Sequence, residues 1–460
     1  MQSKNAHASS FRDPSGYVVI DDNAVKRVIN PIYFKQYKAL TETGFYQNLF
    51  NNGLLIPHKE ISANDDRIII EAEKIPFVTY PYEWSFNMYK EAALLTLKLQ
   101  KYSLEKGFSL KDASSFNVTF YKGKAIFIDT LSFDFYIDNS PWRAYKQFIT
   151  HFFGPLVLAH YHGSQMLKLL STFMDGIPVK MISSLLPTKT KLSPTLYSNI
   201  HLLAKLEDKH NEDYNGEAKI GSLSKKGQLN IIETLYDYIK KLKLKEHSEW
   251  GNYYDKTNYS DSAFDEKSKT INQWVNKLQP KTVIDIGGND GTFVRKLQQP
   301  LELALVSDID NNAVDFNHKT MKVNKETFML PFALDVLAPT PAIGLNNKER
   351  DSFLDRITAL APDVTMALAI IHHISLSGNV PFKRSVEFFS KFSEHLIIEF
   401  PRRDDSWVQR LLNNKADFKD HFDFYNLENF VHAYSELFEI IEQKAISDSK
   451  RVIFLMKNKL

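Results

Sequence analysis

The chain has 460 residues, of which 43% are hydrophobic and 13% aromatic, so its composition is that of a folded protein with two or three domains. Lys and Arg outnumber Asp and Glu by 57 to 55, and this near balance argues against nucleic acid as a partner. The absence of cysteine excludes disulfides, thiolate metal sites and cysteine nucleophiles. The start of the chain lacks the apolar core of a signal peptide, and no apolar run approaches the roughly 20 residues that span a bilayer. We therefore expect a cytoplasmic protein without a membrane span.

The first half predicts an α+β domain over residues 15–207. GYVVIDDNAVKRVI alternates apolar and polar residues around an Asp-Asp-Asn turn, which favours a β-hairpin. A helical stretch is expected from Pro31 to Phe50, followed by the strand RIIIEAEKI and the helix NMYKEAALLTLKLQKYSLEKG. VTFYKGKAIFID predicts a second hairpin, and the following residues are mostly helical.

One constellation in this half points to phosphoryl transfer. In KDASSFNVTFYKGKAIFIDTLSF, Asn117 follows Asp112 by five positions, and Asp129 follows Asn117 by twelve. The stretch resembles the catalytic loop and metal-binding acid of protein-kinase-like and aminoglycoside-phosphotransferase-like folds. The resemblance implies that Asp112 positions the acceptor hydroxyl while Asn117 and Asp129 hold magnesium, with ATP as the donor. Arg27 and Glu42 would then be the phosphate-facing cation and its ion-pair partner.

The same half departs from that family at several positions. SGYVVIDDNAV replaces a glycine-rich nucleotide loop, Lys111 stands where His or Arg is usual, and no glycine follows Asp129. An active kinase, a nucleotide-binding pseudokinase and a kinase-like scaffold that presents a polymer therefore all stay open. Asp112 and Asn117 could also make only local turns, as these residue types commonly do.

A change of composition separates the two halves. EDKHNEDYNGEAKIGSLSKKGQ is polar with scattered glycines, and the amphipathic LNIIETLYDYIKKLKLK follows it, so we expect a linker and a connecting helix over 208–244. The segment SEWGNYYDKTNYSDSAF then opens a domain over 245–460. Its tyrosines, Tyr254 and Tyr259, would either contact a ligand from a lid or pack as part of an N-terminal helix.

Strands and helices alternate from Lys281 onward. The predicted strands are TVIDI, LALVSD, FMLPFALD, VTMALAI, HLIIEF, FEIIEQKAI and RVIFLMK. This pattern predicts an α/β fold with a Rossmann-like, mostly parallel seven-stranded sheet, whose last two strands form an antiparallel hairpin at the edge. Ligands of such sheets bind at the carboxyl ends of the strands, where the strand order reverses.

The turn after the first of these strands is rich in glycine. Gly287 and Gly291 would let the backbone approach a ligand closely. Asp285 ends the first strand, and Asp308, 23 positions later, ends the second, where an acid can hold ribose hydroxyls. Asp310, two residues further on, is the alternative candidate for that role. Asp335 ends the third strand and could accept from an adenine amino group. Three acids suit a nucleoside without phosphates, and the dinucleotide and P-loop fingerprints are absent.

VIDIGGNDGTF resembles the first motif of class I S-adenosylmethionine (SAM)-dependent methyltransferases, D-x-G-x-G-x-G, with Asn in place of the central glycine. PTPAIGLNNKER, LALAIIHHISLSGNVPF, IIEFPRRDDSWVQRLL and RVIFLMK look like a bacterial subgroup often associated with surface-glycan or nodulation genes. A Rossmann-like domain for another nucleoside is the alternative. The resemblance covers about 245–460 and implies SAM bound by the turn, the strand-end acids and the aromatic segment, namely Asp285, Gly287, Gly288, Asn289, Gly291, Asp308, Asp335, Tyr254 and Tyr259.

His372 and His373 follow the fourth strand, beside the expected methyl group. A neutral imidazole there could deprotonate a sugar hydroxyl, and since adjacent side chains diverge, one of the two should face the methyl group. Glu399, at the end of the fifth strand, could orient that histidine or bind substrate. The histidines could instead only pack or cap the strand end.

The sequence therefore predicts a SAM-dependent methyltransferase that O-methylates a glycan or glycan precursor, with glycan-biosynthesis proteins as potential partners. The glycan comes from the subgroup resemblance, as no residue spacing demonstrates it. The alternatives are a bifunctional kinase–methyltransferase that uses ATP and magnesium, and a non-enzymatic scaffold that binds nucleotide.

Overall fold

The computed structural model describes residues 6–20, 24–212, 222–244 and 260–460. The chain divides into two compact units. The first unit contains Met1–Glu246 together with Ile343–Arg350, and the second contains His247–Ala342 together with Asp351–Leu460.

Short strands and helices alternate in the described part of the first unit. Its strands are β1 (Gly16–Ile20), β2 (Val25–Ile29), β3 (His58–Ala63), β4 (Ile68–Ala72), β5 (Phe108–Leu110), β6 (Val118–Tyr121), β7 (Lys124–Phe127) and β8 (Phe133–Phe135). Its α-helices are α1 (Phe34–Glu42), α2 (Phe45–Asn51), α3 (Phe86–Glu105), α4 (Tyr145–Phe148), α5 (Gly154–His162), α6 (Val179–Leu185), α7 (Pro194–Leu196), α8 (Leu202–Glu212) and α9 (Lys225–Lys241).

The main sheet of the first unit is antiparallel, with the order β1-β2-β4-β3. The predicted hairpin pairs β1 with β2, and Gly16 is required there because a Cβ would lie 2.3 Å from the carbonyl oxygen of Val28. The stretch predicted to be helical from Pro31 to Phe50 consists of a 3-10 turn at Pro31–Tyr33 followed by α1 and α2. Gly44, with φ +68°, separates the two α-helices. Strand β3 was not predicted, since it lies at the sheet edge and most of its residues are exposed.

Helix α9 belongs to the first unit rather than to a separate connection. It buries Ile232, Leu235 and Ile239, and the Lys90 Nζ on α3 donates to carbonyl oxygens at the end of α9. The expected linker over 208–244 therefore includes a packed helix of this unit.

The segment Ile343–Arg350 also belongs to the first unit, which the sequence did not predict. The buried Glu349 accepts two hydrogen bonds of 2.8 Å from the guanidinium of Arg12. The Arg350 guanidinium lies 4.6 Å from the centre of the Phe116 ring. A bidentate ion pair and a cation–π contact thus anchor this segment.

The described part of the second unit is a sheet with flanking helices. Its strands are β9 (Thr282–Ile286), β10 (Leu303–Asp308), β11 (Met329–Ala333), β12 (Val364–Ala367), β13 (His395–Pro401), β14 (Phe438–Ala445) and β15 (Arg451–Asn458). Its α-helices are α10 (Asp261–Leu278), α11 (Thr292–Arg295), α12 (Asn311–Asn324), α13 (Phe353–Leu360), α14 (Phe382–Phe389), α15 (Ser406–Asn413) and α16 (Leu427–Leu437).

These strands form one seven-stranded sheet in the order β11-β10-β9-β12-β13-β15-β14. Strands β9 to β13 run parallel, and β15 pairs antiparallel with both β13 and β14. The chain moves outward from β9 through β10 to β11 and then returns to β12 on the other side of β9. The strand order therefore reverses beside β9, which is where a ligand crevice is expected.

Helix α10 covers one face of this sheet. The Ser260 side chain caps its first turn by accepting from the Ala263 N–H, and Ile271 and Trp274 pack into the core with Val283 of β9. The same buried face of the helix carries a lysine, Lys267. Within the described ranges, no helix is long and apolar enough to cross a membrane.

Candidate active site

The turn after β9 follows a path that requires glycine. Gly287 and Gly291 have φ values of +72° and +79°, a region that favours glycine. Asn289 has φ +49°, which asparagine tolerates better than most residues. Gly288 is needed for space, because a Cβ there would lie 2.7 Å from the carboxyl group of Asp285. The turn therefore brings bare backbone against the strand-end acid.

Three acids from adjacent strand ends line one cavity of about 330 Å³, which lies within the second unit. They are Asp285 of β9, Asp308 of β10 and Asp335 after β11. The backbone N–H of Asn289 donates to Asp308 Oδ2 at 3.0 Å, which ties the glycine turn to the second acid. The Leu337 N–H donates to Asp335 Oδ1 at 2.9 Å. The structure thus brings together the acids that the sequence placed at separate strand ends.

Asp285 and Asp308 both have raised pKa values. Burial raises the pKa of Asp285 to about 7, and the charge of Lys267 offsets part of that rise. Neither carboxylate oxygen of Asp285 has a hydrogen-bond partner among the described residues. Burial raises the pKa of Asp308 to about 6, although backbone N–H groups, including that of Asn289, stabilise its ionised form. A cationic or hydrogen-bond-donating ligand would satisfy these acids.

The rest of the cavity wall is mostly apolar, and the sequence did not predict that these residues line the site. These residues come from α10, α11 and the loops that follow the strands, so their convergence depends on the tertiary fold. They include Phe264, Phe293, Ile309, Leu334, Val336 and Leu368. An apolar wall around a few polar groups is typical of small-molecule sites.

The two histidines differ in position. His373 lines the cavity, whereas His372 is buried and does not line it. Burial lowers the pKa of His373 to about 4, with a further contribution from the charge of Arg451. Burial also holds the pKa of His372 well below its usual range, and His372 Nδ1 has no hydrogen-bond partner among the described residues. Both imidazoles are therefore neutral at pH 7, and His373 is the one that faces the cavity.

Glu399 belongs to a buried network of charges. Its Oε2 lies 2.5 Å from Lys267 Nζ, and its Oε1 accepts from Arg451 Nη1 at 3.1 Å. Arg451 Nε donates to Asp405 Oδ2 at 3.0 Å. Glu399 does not line the cavity itself, but Lys267 does, so the predicted direct role of Glu399 in substrate binding has no support in this geometry. The sequence did not predict a role for Lys267, because this residue lies on α10, ahead of the glycine motif and the strand ends from which the site was predicted.

Tyr254 and Tyr259, predicted to contact the ligand, lie outside the described residues.

Most of the residues that resemble a kinase site in the first unit also lie close together, but Arg27 has a different ion-pair partner from the one predicted. Arg27 forms an ion pair with Asp129, while Glu42, its predicted partner, is exposed on α1. Asp112 accepts a hydrogen bond from the Asn117 side chain, and burial raises its pKa, as does the charge of Asp129. Burial alone would raise the pKa of Asp129, but the Arg27 charge and local hydrogen bonds lower it overall.

Magnesium does not fit this cluster. The Asp129 carboxylate accepts from Arg27, from the Ser132 hydroxyl and from the Leu131 N–H, so a guanidinium lies where a bound cation would be. Across the described residues, no group of three or more His, Cys, Asp or Glu side chains could hold a metal ion. No phosphoryl-transfer step follows from these contacts.

No protein-family model matches the chain. The nodulation protein NoeA of Rhizobium meliloti (strain 1021) is 30% identical to it, over 97% of this chain and 95% of that protein. The chain belongs to the NoeA family.

Solved structures similar to this NoeA-family chain include SAM-dependent methyltransferases. N-methyltransferase NodS from Bradyrhizobium japonicum WM9 covers 43% of this chain and 98% of its own, at 12% identity and a TM-score of 0.31. Magnesium protoporphyrin IX methyltransferase from Synechocystis PCC 6803, with bound S-adenosylhomocysteine (SAH), covers 46% and 93%, at 14% identity and a TM-score of 0.31.

Proposed function

We propose that the second unit is a SAM-dependent methyltransferase. The observation that carries this proposal is the meeting of Asp285, Asp308 and Asp335 on one apolar-walled cavity at the strand-order reversal. Ribose hydroxyls would donate to Asp308 and the adenine amino group to Asp335, with apolar walls against the purine. Three carboxylates and one lysine also make the cavity acidic, which suits a ligand with a sulfonium and an ammonium group.

SAM supplies a methyl group activated by its positive sulfur. The chain's own task is to align an acceptor oxygen and to remove its proton. His373 lines the cavity and carries a neutral imidazole at pH 7, so it can accept that proton. The mostly apolar wall limits water around the acceptor oxygen. His373 is therefore the proposed general base.

A glycan or glycan precursor is the proposed acceptor. The resemblance to a glycan- and nodulation-associated subgroup supports it, and the relative NoeA is named a nodulation protein. In this proposal the first unit contributes to substrate binding, without a kinase step.

Methyl-labelled SAM should distinguish the acceptors. The full chain would be incubated with separate glycan, lipid, small-RNA and protein fractions from its own cells. We expect label in the glycan fraction. Label in RNA or protein would overturn the glycan assignment, and no transfer to any fraction, despite SAM binding, would count against the methyltransferase.

Replacing His373 with glutamine should lower turnover at saturating SAM by about 10²- to 10⁴-fold, the usual contribution of a general base. SAM affinity should change little, since glutamine keeps the cavity polar there. Because the pKa of His373 is lowered to about 4, wild-type turnover should show no histidine titration between about pH 5.5 and 8. His372→Gln is the matched comparison and should lose much less turnover. Equal losses in the two variants would remove the assignment of His373 as the base.

A further inference from the structure

Residues 185–206 of the first unit expose apolar side chains at a higher density than the rest of the described chain. Of the 17 large apolar side chains that are exposed among the described residues, five lie within these 22 residues. They are Leu185, Leu192, Tyr197, Leu202 and Leu206, and Leu192 is the most exposed of them at 86%. A single exposed apolar residue is ordinary, but a cluster of them marks a contact surface.

The elements that carry these side chains meet at the buried His201. Its Nδ1 lies 2.8 Å from the Ser183 hydroxyl on α6, and its Nε2 lies 2.8 Å from the Thr190 hydroxyl in the 3-10 segment Thr188–Leu192. His201 itself directly precedes α8. The exposed leucines within two residues of these three side chains are Leu185, Leu192 and Leu202. Three separate segments therefore contribute to one surface.

The same stretch is basic. Residues 176–206 contain four lysines and no Asp, Glu or Arg, although the whole chain is nearly neutral. The four lysines are exposed, namely Lys180, Lys189, Lys191 and Lys205. Burial and the charges of Lys191 and Lys205 lower the pKa of His201, and the Lys205 ammonium lies 5.6 Å from the centre of the Tyr197 ring. Positive charge is thus placed beside the exposed apolar side chains.

We propose that this leucine–lysine surface, formed by the five exposed apolar side chains with Lys189, Lys191 and Lys205, docks on an anionic lipid membrane. The leucines would enter the boundary between headgroups and acyl chains, while the long lysine stems keep each ammonium among the lipid phosphates. Interfaces with proteins favour arginine and aromatic residues and are depleted in lysine. A lysine- and leucine-rich composition without arginine instead suits an anionic membrane surface. The proposal does not depend on the ligand of the second unit.

Sedimentation of the full chain with lipid vesicles tests the docking. One set of vesicles contains phosphatidylcholine alone, and the other contains equal parts of phosphatidylcholine and the anionic phosphatidylglycerol. We expect the protein to sediment with the anionic vesicles and to stay largely in the supernatant with the neutral ones. Raising the salt concentration from about 0.05 M to about 0.5 M should release most of the bound protein, because salt screens the lysine charges.

Two variants test whether this surface makes the contact. Lys189→Gln/Lys191→Gln should weaken binding to the anionic vesicles by about 25-fold, about fivefold for each lysine. Leu192→Ser should weaken it by about tenfold, because one leucine no longer leaves water. All three side chains are exposed, so both variants should keep the fold, which circular dichroism checks.

Exposed positions of the second unit supply matched controls. Lys383→Gln/Lys391→Gln removes the same charge as the double lysine variant, and Val323→Ser replaces an apolar side chain that is 80% exposed. Both controls should bind the anionic vesicles within about threefold of the wild type.

The proposal would be overturned if the wild type bound neither kind of vesicle, or bound both equally. Losses in the control variants equal to those in Lys189→Gln/Lys191→Gln and Leu192→Ser would show that the contact does not lie at this surface. Dimerisation that disappears in Leu192→Ser, without vesicle binding by the wild type, would assign the surface to a second copy of the chain instead.

Discussion

Replacing Asp285 with asparagine is expected to stabilise the ligand-free protein above pH 7 and to weaken SAM binding. The pKa of this buried acid rises from its ordinary value of 3.8 to about 7. The folded state therefore binds the proton more tightly than the unfolded state, and stability falls as pH rises from about 4 to 7. Ionising Asp285 in the folded protein costs on the order of 4 kcal/mol of stability. Asparagine avoids this cost but buries an amide without a hydrogen-bond partner, so we expect the variant to regain about half of that stability.

Calorimetric unfolding of the wild type and Asp285→Asn at pH 5 and pH 8 measures this difference. The advantage of the variant should be larger at pH 8, and exposed Asp420→Asn should show no such trend. SAM affinity of the wild type should increase with pH through about 7, because the positive charges of SAM favour ionised Asp285 in the cavity. In Asp285→Asn that pH dependence should vanish, with affinity lower by about 10- to 100-fold. This account would be contradicted if Asp285→Asn were less stable than the wild type at both pH values and its SAM affinity depended on pH as that of the wild type does.

Replacing Arg451 with methionine should destabilise the second unit more than any surface change. Arg451 is buried between Glu399 and Asp405, and its loss leaves two carboxylates with less positive charge near them. Breaking a buried ion pair on one side typically costs about 3–5 kcal/mol. Scanning calorimetry should therefore show a melting temperature lower by roughly 10 °C.

Arg403→Met is the matched control for that measurement. Its ion pair with Asp423, at 2.8 Å, is partly exposed, with side-chain exposures of 31% and 70%. Such a pair contributes less than about 1 kcal/mol, so its loss should hardly change the melting temperature. Similar losses in the two variants would show that burial of the Arg451 network does not govern stability.

Local patterns in the sequence were enough to locate the strands of the second unit. TVIDI and LALVSD coincide with β9 and β10, because short apolar runs that end in an acid and a turn are strong strand signals. The strand-end positions of Asp285 and Asp308 follow directly from those runs. Because the carboxyl ends of parallel strands lie at one edge of the sheet, both acids were then expected at the same crevice.

The partners of individual side chains could not be predicted from local sequence patterns. Lys267 pairs with Glu399 across 132 positions, and Arg27 pairs with Asp129 across 102, so both pairs depend on the tertiary fold. A signal for Lys267 was present, since it lies on the same helical stripe as Ile271 and Trp274, where a lysine is out of place. The docking of Ile343–Arg350 in the first unit had no local signal, because Glu349 contacts Arg12 across 337 positions.

Titration of the full chain with SAM, in the wild type and in Asp308→Ala, tests the central claim most directly. We predict saturable binding at one site in the wild type and a loss of at least about 100-fold in the variant, because two ribose hydroxyls lose a charged acceptor. Asp310→Asn, which keeps a side-chain oxygen at the start of α12, should bind like the wild type. Absent binding in the wild type, or an unchanged affinity in Asp308→Ala, would contradict the assignment of this cavity to SAM.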